Sequence, residues 1–372
     1  MRNYSNWIEN VASNYNPDSD SMLRYRMFSS NYNPDSDSML RYRMFSSLMD
    51  ADKDAAKFVK LAMSPVDESY TLRSKAAGNN ARDWLKAKQT NVDYAFQGSV
   101  MTNTHIKGYS DIDLLTLCDK FYGTEIDKVR DILKQPYNGY SWIDEQKLMA
   151  FEKNFSRYDG YGLQDLRDLR KENEEILSKH YVKCDTSKAK AIRITNQNLN
   201  MEVDVVTACK YQSIQYILND YDKDFLGVRI YDKEKDRILD VDYPFRRIQL
   251  INERGTQTGD RFKKMIRFLK NLRSQSNEGI DLTSFEINSI CYDIPTWRYS
   301  TVYYLQLVNV LYEKMYAICN NQSEADNLKS VDGTEFVFKN KPDKVRQLKA
   351  LTIEVKSVLD DLNKNNNNQI IY

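Results

Sequence analysis

Histidine is almost missing from this chain, with 2 in 372 residues, and its five cysteines show no metal-ligand spacing. Cys118, Cys184, Cys209, Cys291 and Cys319 are scattered and odd in number. They read as free thiols of a reducing compartment rather than a disulfide framework. Cys118 and Cys209 read as packing residues. His105 reads as a loop residue, and His180 closes a helical run, where the helix dipole favours a cation. A surplus of either charge is also absent: 54 basic and 53 acidic residues leave a net +1. A protein that tracks long nucleic acid usually carries a basic excess, so the composition does not require a nucleic-acid partner. No apolar run is long enough to span a bilayer and no signal peptide opens the chain, which predicts a cytoplasmic protein without membrane contact. The length suggests two or three domain-sized units or one bilobal enzyme with a sizeable core.

What is present is a set of three carboxylates in apolar surroundings. Asp111-Ile112-Asp113-Leu114-Leu115 reads as a strand, in which alternate side chains share a face. Asp111 and Asp113 then point one way, and Ile112 and Leu114 point into the core. Asp204 lies in a second apolar strand, Val203-Asp204-Val205-Val206. If the two strands pair side by side, the three acids converge. Without cations they would repel one another. Mg2+ resolves the conflict, because it takes carboxylate, phosphate and water oxygens. A pair of such ions about 3.5–4 Å apart can activate a hydroxyl and stabilise a leaving oxygen. Mn2+ would serve as well.

Gly98 and Ser99 stand about a dozen residues upstream. Glycine lets the backbone approach a phosphate closely, and Ser99 offers a hydroxyl and an N–H, favourable to anions at a helix N-terminus. Asp-x-Asp alone carries little: Asp18-Ser19-Asp20, Asp35-Ser36-Asp37 and Asp240-Val241-Asp242 share the pattern. The first two read as polar turns and the third as a strand end or loop. The bland alternative for Asp111 and Asp113 is a solvated strand face, and for Asp204 an edge-strand acid. The combination of turn, Asp-x-Asp and later acid is the specific signal.

These motifs resemble the nucleotidyltransferases of the DNA polymerase β superfamily, and within them the cyclic-oligonucleotide synthases typified by cyclic GMP–AMP synthase and its bacterial relatives. The resemblance runs from about Phe96 to the region of Ser284. Gln97-Gly98-Ser99 with Ser110-Asp111-Ile112-Asp113 is similar to the opening motif, and residues 203–208 to the third-carboxylate strand. Thr207 stands where the family more often has Pro, a departure expected to affect the turn after the strand. Lys264-Met265-Ile266-Arg267-Phe268-Leu269-Lys270 resembles the helix whose lysine grips the triphosphate, with Lys270 in that place. Thr283-Ser284-Phe285 resembles the pair whose hydroxyl touches phosphate and whose ring stacks on a base.

The resemblance implies an α+β, bilobal, polymerase β-like fold with a mixed-sheet catalytic lobe and a helical C-terminal lobe. Expected divisions are 1–60 for the N-terminal segment, 61–255 for the catalytic lobe and 256–372 for the helical lobe, with substrate in the cleft. It implies that Asp111, Asp113 and Asp204 hold two Mg2+ ions and catalyse, while Gly98, Ser99, Lys270, Ser284 and Phe285 bind nucleoside triphosphate. A ribose hydroxyl attacks the α-phosphate, pyrophosphate leaves, and repetition closes a cyclic di- or trinucleotide. In bacteria it further implies antiphage defence, with a downstream effector that reads the product. The competing classes are a transferase that adds nucleotides to RNA, protein or a small molecule, and a binding module without catalysis. A pure binder needs no metal triad.

Read from the residues alone, the later segments are blander. Phe262, Met265, Ile266, Leu269 and Leu272 form an apolar helical face, and Lys263, Lys264, Arg267, Lys270 and Arg273 read as a solvated basic face. Ser284 reads equally as an N-cap, and Phe285 as core. Residues 14–30 recur without change as 31–47, too clean for a diverged structural repeat, so one copy reads as dispensable. Helices are expected over 52–63, 81–88, 125–133, 164–178 and 345–362, and within 260–273 and 303–317. Strands are expected at 94–96 and 228–231, with a hairpin from 191–195 and 201–206.

Overall fold

The computed structural model describes residues 4–12, 53–108 and 112–364. Both tandem copies, the polar tail from 365 and Asp111 lie outside the described residues. In chain order the helices and strands open with α1 (Tyr4–Ala12), α2 (Lys53–Met63), α3 (Glu68–Lys86) and β1 (Val92–Gln97). A short 3-10 turn, Ser99–Thr102, precedes β2 (Ile112–Thr124), α4 (Ile126–Leu133), α5 (Trp142–Asn154) and α6 (Gly162–His180). Then follow β3 (Cys184–Asp185), β4 (Ile192–Asn196), β5 (Met201–Gln212), α7 (Ile214–Leu218), β6 (Gly227–Asp232) and β7 (Arg237–Asp242). The rest is helical: α8 (Pro244–Gln257), α9 (Arg261–Gln275), α10 (Ser284–Asp293), α11 (Gln306–Asn320), α12 (Gln322–Asn327) and α13 (Pro342–Asn363).

The chain forms two compact units. One comprises Ser69–Thr102 and the described residues within Ser110–Leu250. The other comprises the described residues within Met1–Glu68, Asn103–Tyr109 and Ile251–Tyr372. The division falls inside α8, and helices α1 and α2 belong with the C-terminal ones.

The first unit is built on a mixed sheet in the order β1-β2-β5-β4-β3, with β6 on β5 and β7 on β6. The β2–β5 pair is parallel and the others are antiparallel. Alternation along β2 explains why it is buried on both faces. Ile112 and Leu114 pack with Val203 and Val205 against Ala77, Ala81 and Leu85 of α3 and Leu177 of α6. Leu115 and Leu117 pack on the other face with Val206, Ala208, Val228 and Phe245. Helix α3 lies so close that a Cβ on Gly78 would sit 2.8 Å from the Phe96 ring.

Thr207 departs from the expectation that it governs a turn. It lies inside β5, fully buried. The Asn173 amide on α6 donates to the hydroxyls of Thr207 at 3.0 Å and Thr116 at 2.8 Å. Gln89 donates to the Asn173 oxygen at 2.9 Å. A buried polar tether thus replaces what proline would have left without a hydroxyl, and every member has a partner.

In the second unit α1 packs on α2, and α9 packs against α2, α10 and α13. Phe58 meets Phe268 with ring centroids 6.3 Å apart, and the Tyr4 hydroxyl donates to Asp361 at 2.7 Å. The basic face expected on α9 is not solvated. Arg267 and Lys270 are buried, and Lys263, Lys264 and Arg273 are half-buried. Packing on several sides leaves α9 little solvated surface, so a cation buried there needs a partner indoors. Arg267 has such partners: Nε donates to the Met63 carbonyl and Nη1 to the Asn103 carbonyl, both at 2.8 Å, and Nη2 pairs with Asp260.

Candidate active site

One row of residues crosses the sheet of the first unit. Gln97 on β1 is in register with Asp113 on β2, Asp113 with Asp204 on β5, and Asp204 with Arg193 on β4. Laterally paired residues in a sheet share a face, and neighbouring strands lie about 4.7–4.9 Å apart. Two carboxylates therefore stand side by side, flanked by an amide and a guanidinium. Their face is that of Leu115 and Val206, one residue on from the core positions Ile112 and Val203.

Immediately after Gln97, Gly98 takes φ +94°, a backbone state that glycine adopts at little cost. The turn of Ser99–Thr102 then opens, with the Met101 N–H donating to the Gly98 carbonyl at 3.2 Å. The end of β1 thus delivers the Gly-Ser turn beside the acid row.

Asp204 is paired. Arg193 grips it as a fork, Nε to Oδ1 at 2.8 Å and Nη2 to Oδ2 at 2.6 Å. Lys188 Nζ stands 3.8 Å from Oδ1. Arg193 Nη1 also reaches Glu202 at 3.5 Å, two residues before Asp204 on the same face of β5. These three residues were not singled out from the sequence. The signal was available in the 192–196/201–205 hairpin, whose antiparallel register puts Arg193 opposite Asp204.

In the second unit Lys270 is fully buried, and its ammonium has no hydrogen-bond partner among the described residues. Burial pushes its pKa from 10.5 down to about 7, and the nearby Arg273 charge adds to the effect. Ser284 is not the cap of α10. Thr283 is, closing a capping box with Glu286. Ser284 is the first helical residue, and it and Phe285 are half-buried. Cys118 and Cys209 are buried packing residues, and burial raises the Cys209 thiol to about 12. His105 lies buried in a coil, and His180 ends α6 stacked on Trp84 at 3.8 Å.

The donor set suits a hard divalent cation. Asp113 and Asp204 offer carboxylate oxygens from adjacent in-register positions. A cationic fork already satisfies one of them. Among the described residues no group of three or more His, Cys, Asp or Glu could hold a metal, and Asp111 lies outside them. No described helix is long and apolar enough to cross a membrane.

Comparison with known proteins shows the family. Residues 249–360 match the family model of the cGAS/DncV-like nucleotidyltransferase C-terminal helical domain. The chain is 46% identical to a c-di-GMP synthase of Lachnospiraceae bacterium, covering 97% of this chain and 99% of that protein. Two solved structures are similar. One is a STING-associated CdnE c-di-GMP synthase from Flavobacteriaceae sp., with TM-score 0.80 and 32% identity, covering 97% and 99% of the two chains. The other is the STING-associated CdnE c-di-GMP synthase from Capnocytophaga granulosa, with TM-score 0.71 and 36% identity over the same shares.

Proposed function

The chain belongs to the cGAS/DncV-like nucleotidyltransferases, and from that premise we propose that it condenses two molecules of GTP into cyclic di-GMP. Each condensation releases pyrophosphate. The observation that carries the reading is the in-register row of Asp113 and Asp204 beside the Gly98-Ser99 turn. The guanine preference is supported by the relatives, since those at 37–46% identity are c-di-GMP synthases.

In this reading Asp111, Asp113 and Asp204 are the residues that would hold two divalent cations, Mg2+ or Mn2+. When bound, these supply Lewis acidity at the α-phosphate and offset charge on the leaving pyrophosphate. Asp204 orients the attacking ribose hydroxyl of the acceptor nucleotide. Its oxygen forms the new bond to the α-phosphorus as the bond to pyrophosphate breaks, and the hydroxyl proton passes to solvent. The Ser99 hydroxyl and the N–H groups after Gly98 donate to phosphate oxygens. Lys270 takes the role of a triphosphate counter-ion, supported by a buried ammonium that lacks any partner among the described residues. Ser284 contacts phosphate and Phe285 stacks on a base; the ring stacks without a hydroxyl. The product serves a downstream effector in antiphage defence, a reading supported by the STING association of the two relatives of known structure.

The test is to incubate purified protein with each labelled triphosphate alone and with all four, in Mg2+ or Mn2+, and to identify products by mass spectrometry. GTP alone should give a phosphatase-resistant cyclic dinucleotide. A product that requires ATP would overturn the guanine assignment, and a linear or protein-bound product would overturn cyclisation.

A further inference from the structure

We propose that Arg193 is a resident counter-ion of the catalytic row, which holds Asp204 until a divalent cation arrives and then passes to Glu202. This inference rests on the proposed metal role of Asp204. Three observations carry it. The guanidinium grips both Asp204 oxygens, at 2.8 and 2.6 Å, so the carboxylate edge that a cation would use is covered. Register fixes the encounter, because Arg193 lies directly opposite Asp204 on β4. A second acceptor is already in reach: Glu202 stands 3.5 Å from Nη1 and is far more exposed, at 47% against 16% for Asp204.

The arrangement has a physical reason. Asp113 and Asp204 are neighbours across β2 and β5, and two unscreened carboxylates that close destabilise the metal-free fold. A bidentate arginine neutralises one of them with defined geometry. The same charge would compete with a divalent cation for Asp204. Glu202 lowers the cost of giving Asp204 up, because the guanidinium moves from one carboxylate to the next without entering water unpaired. Lys188, 3.8 Å away, screens the pair from the β3–β4 side. Arg193 is thus a positioning residue that sets how readily the site loads.

The experiment is a Mn2+ titration of EDTA-dialysed protein without nucleotide, read by electron paramagnetic resonance of free Mn2+ and by thermal melting. Arg193→Met should bind Mn2+ about tenfold more tightly than wild type, since a charge-assisted pair no longer competes. In EDTA it should melt lower than wild type and recover on adding Mn2+. Glu202→Gln should bind Mn2+ severalfold more weakly, because the guanidinium loses its second seat. Arg193→Gln serves the same purpose as Arg193→Met if the latter does not fold. Mn2+ binding by either Arg193 variant that is unchanged or weaker overturns the proposal, as does unchanged binding by Glu202→Gln. Asp204→Asn separates the two levels: if it binds Mn2+ as wild type does, the metal role of Asp204 itself fails.

Discussion

The acid row of the sheet unit and helix α9 of the helical unit hold charge differently, although the sheet unit also buries a cation, Arg170 of α6, paired with Glu174. In the sheet unit the charged residues form a row on one face, acids at the centre and Arg193 at the flank, each within reach of an opposite charge or of solvent. In the helical unit the cations of α9 go inside. Arg267 and Lys270 lie three residues apart on that helix, both buried, and meet different fates. Arg267 has two carbonyls and Asp260, whereas Lys270 has no partner among the described residues. A satisfied buried cation stabilises a fold. An unsatisfied one destabilises it. The acid row of the sheet unit holds its charge as a pair, and α9 of the helical unit holds one cation, Lys270, that lacks a hydrogen-bond partner among the described residues.

The most damaging way to break the comparison is to remove the acids. Asp111→Asn with Asp113→Asn should abolish product formation while the protein remains folded, because like charge is lost from one face. Circular dichroism and product mass spectrometry on the same sample check both halves. Full turnover would sink the metal-dependent mechanism.

Next in size is the satisfied cation. Arg267→Met leaves Asp260 and the carbonyls of Met63 and Asn103 without their donor, and should cost about 3–5 kcal/mol in urea unfolding. A loss below about 1 kcal/mol would show that these groups find water instead.

This contrast also marks where the sequence could be read and where it could not. Alternation in 112–118 and 203–208 is enough to place Asp113 and Asp204 on one face, because a strand has two faces and the apolar residues claim the other. Helix α9 defeats the same logic. Its apolar residues recur at helical spacing, so Lys263, Lys264, Arg267, Lys270 and Arg273 fall on what reads as the wet side. At Arg267 the structure covers that side with α2, a segment some 200 residues away in the chain. Nothing local in 261–275 announces a cover that arrives from the N-terminus. Thr207 fails for a related reason: its partner, Asn173, sits on another element. The capping box at Thr283 was within reach, since Thr283 and Glu286 carry the spacing themselves.

Third comes the unsatisfied cation. Lys270→Met should weaken triphosphate use by about one to two orders of magnitude, and Ser99→Ala by about tenfold, as expected for lost charge-assisted hydrogen bonds. Stability should move the other way. The folded pKa of Lys270 is lowered from 10.5 to about 7, so between those values the unfolded chain holds a proton that the native state releases. Stability of the wild type therefore rises with pH across that window, by up to about 1.4 kcal/mol per pH unit from this group. Below pH 7 both states are charged and the full cost remains. Lys270→Met should be more stable than wild type, with the gap widest below pH 7 and narrowing toward pH 10.5. A gap that does not change with pH would mean that Lys270 is neutralised by a partner.

The smallest effect belongs to Lys263, which sharpens the contrast because it lies on the same helix and carries the same charge. Its ammonium donates to Asn252 Oδ1 at 2.7 Å, and its stem lies across Gly255 of α8, where a glycine Cβ would meet Lys263 Cε. Lys263 therefore has what Lys270 lacks: a hydrogen-bond acceptor, and an apolar seat for its methylenes with the head half in water. Lys263→Ala should cost about 1 kcal/mol of stability, the net worth of one hydrogen bond. KM for the triphosphate should be unchanged, because a cation already engaged by its own helix pair is not one held for an anion. If Lys263→Ala raised KM and Lys270→Met did not, the phosphate grip would sit about two turns earlier on α9. The burial of Lys270 would then be a packing cost with no ligand to offset it.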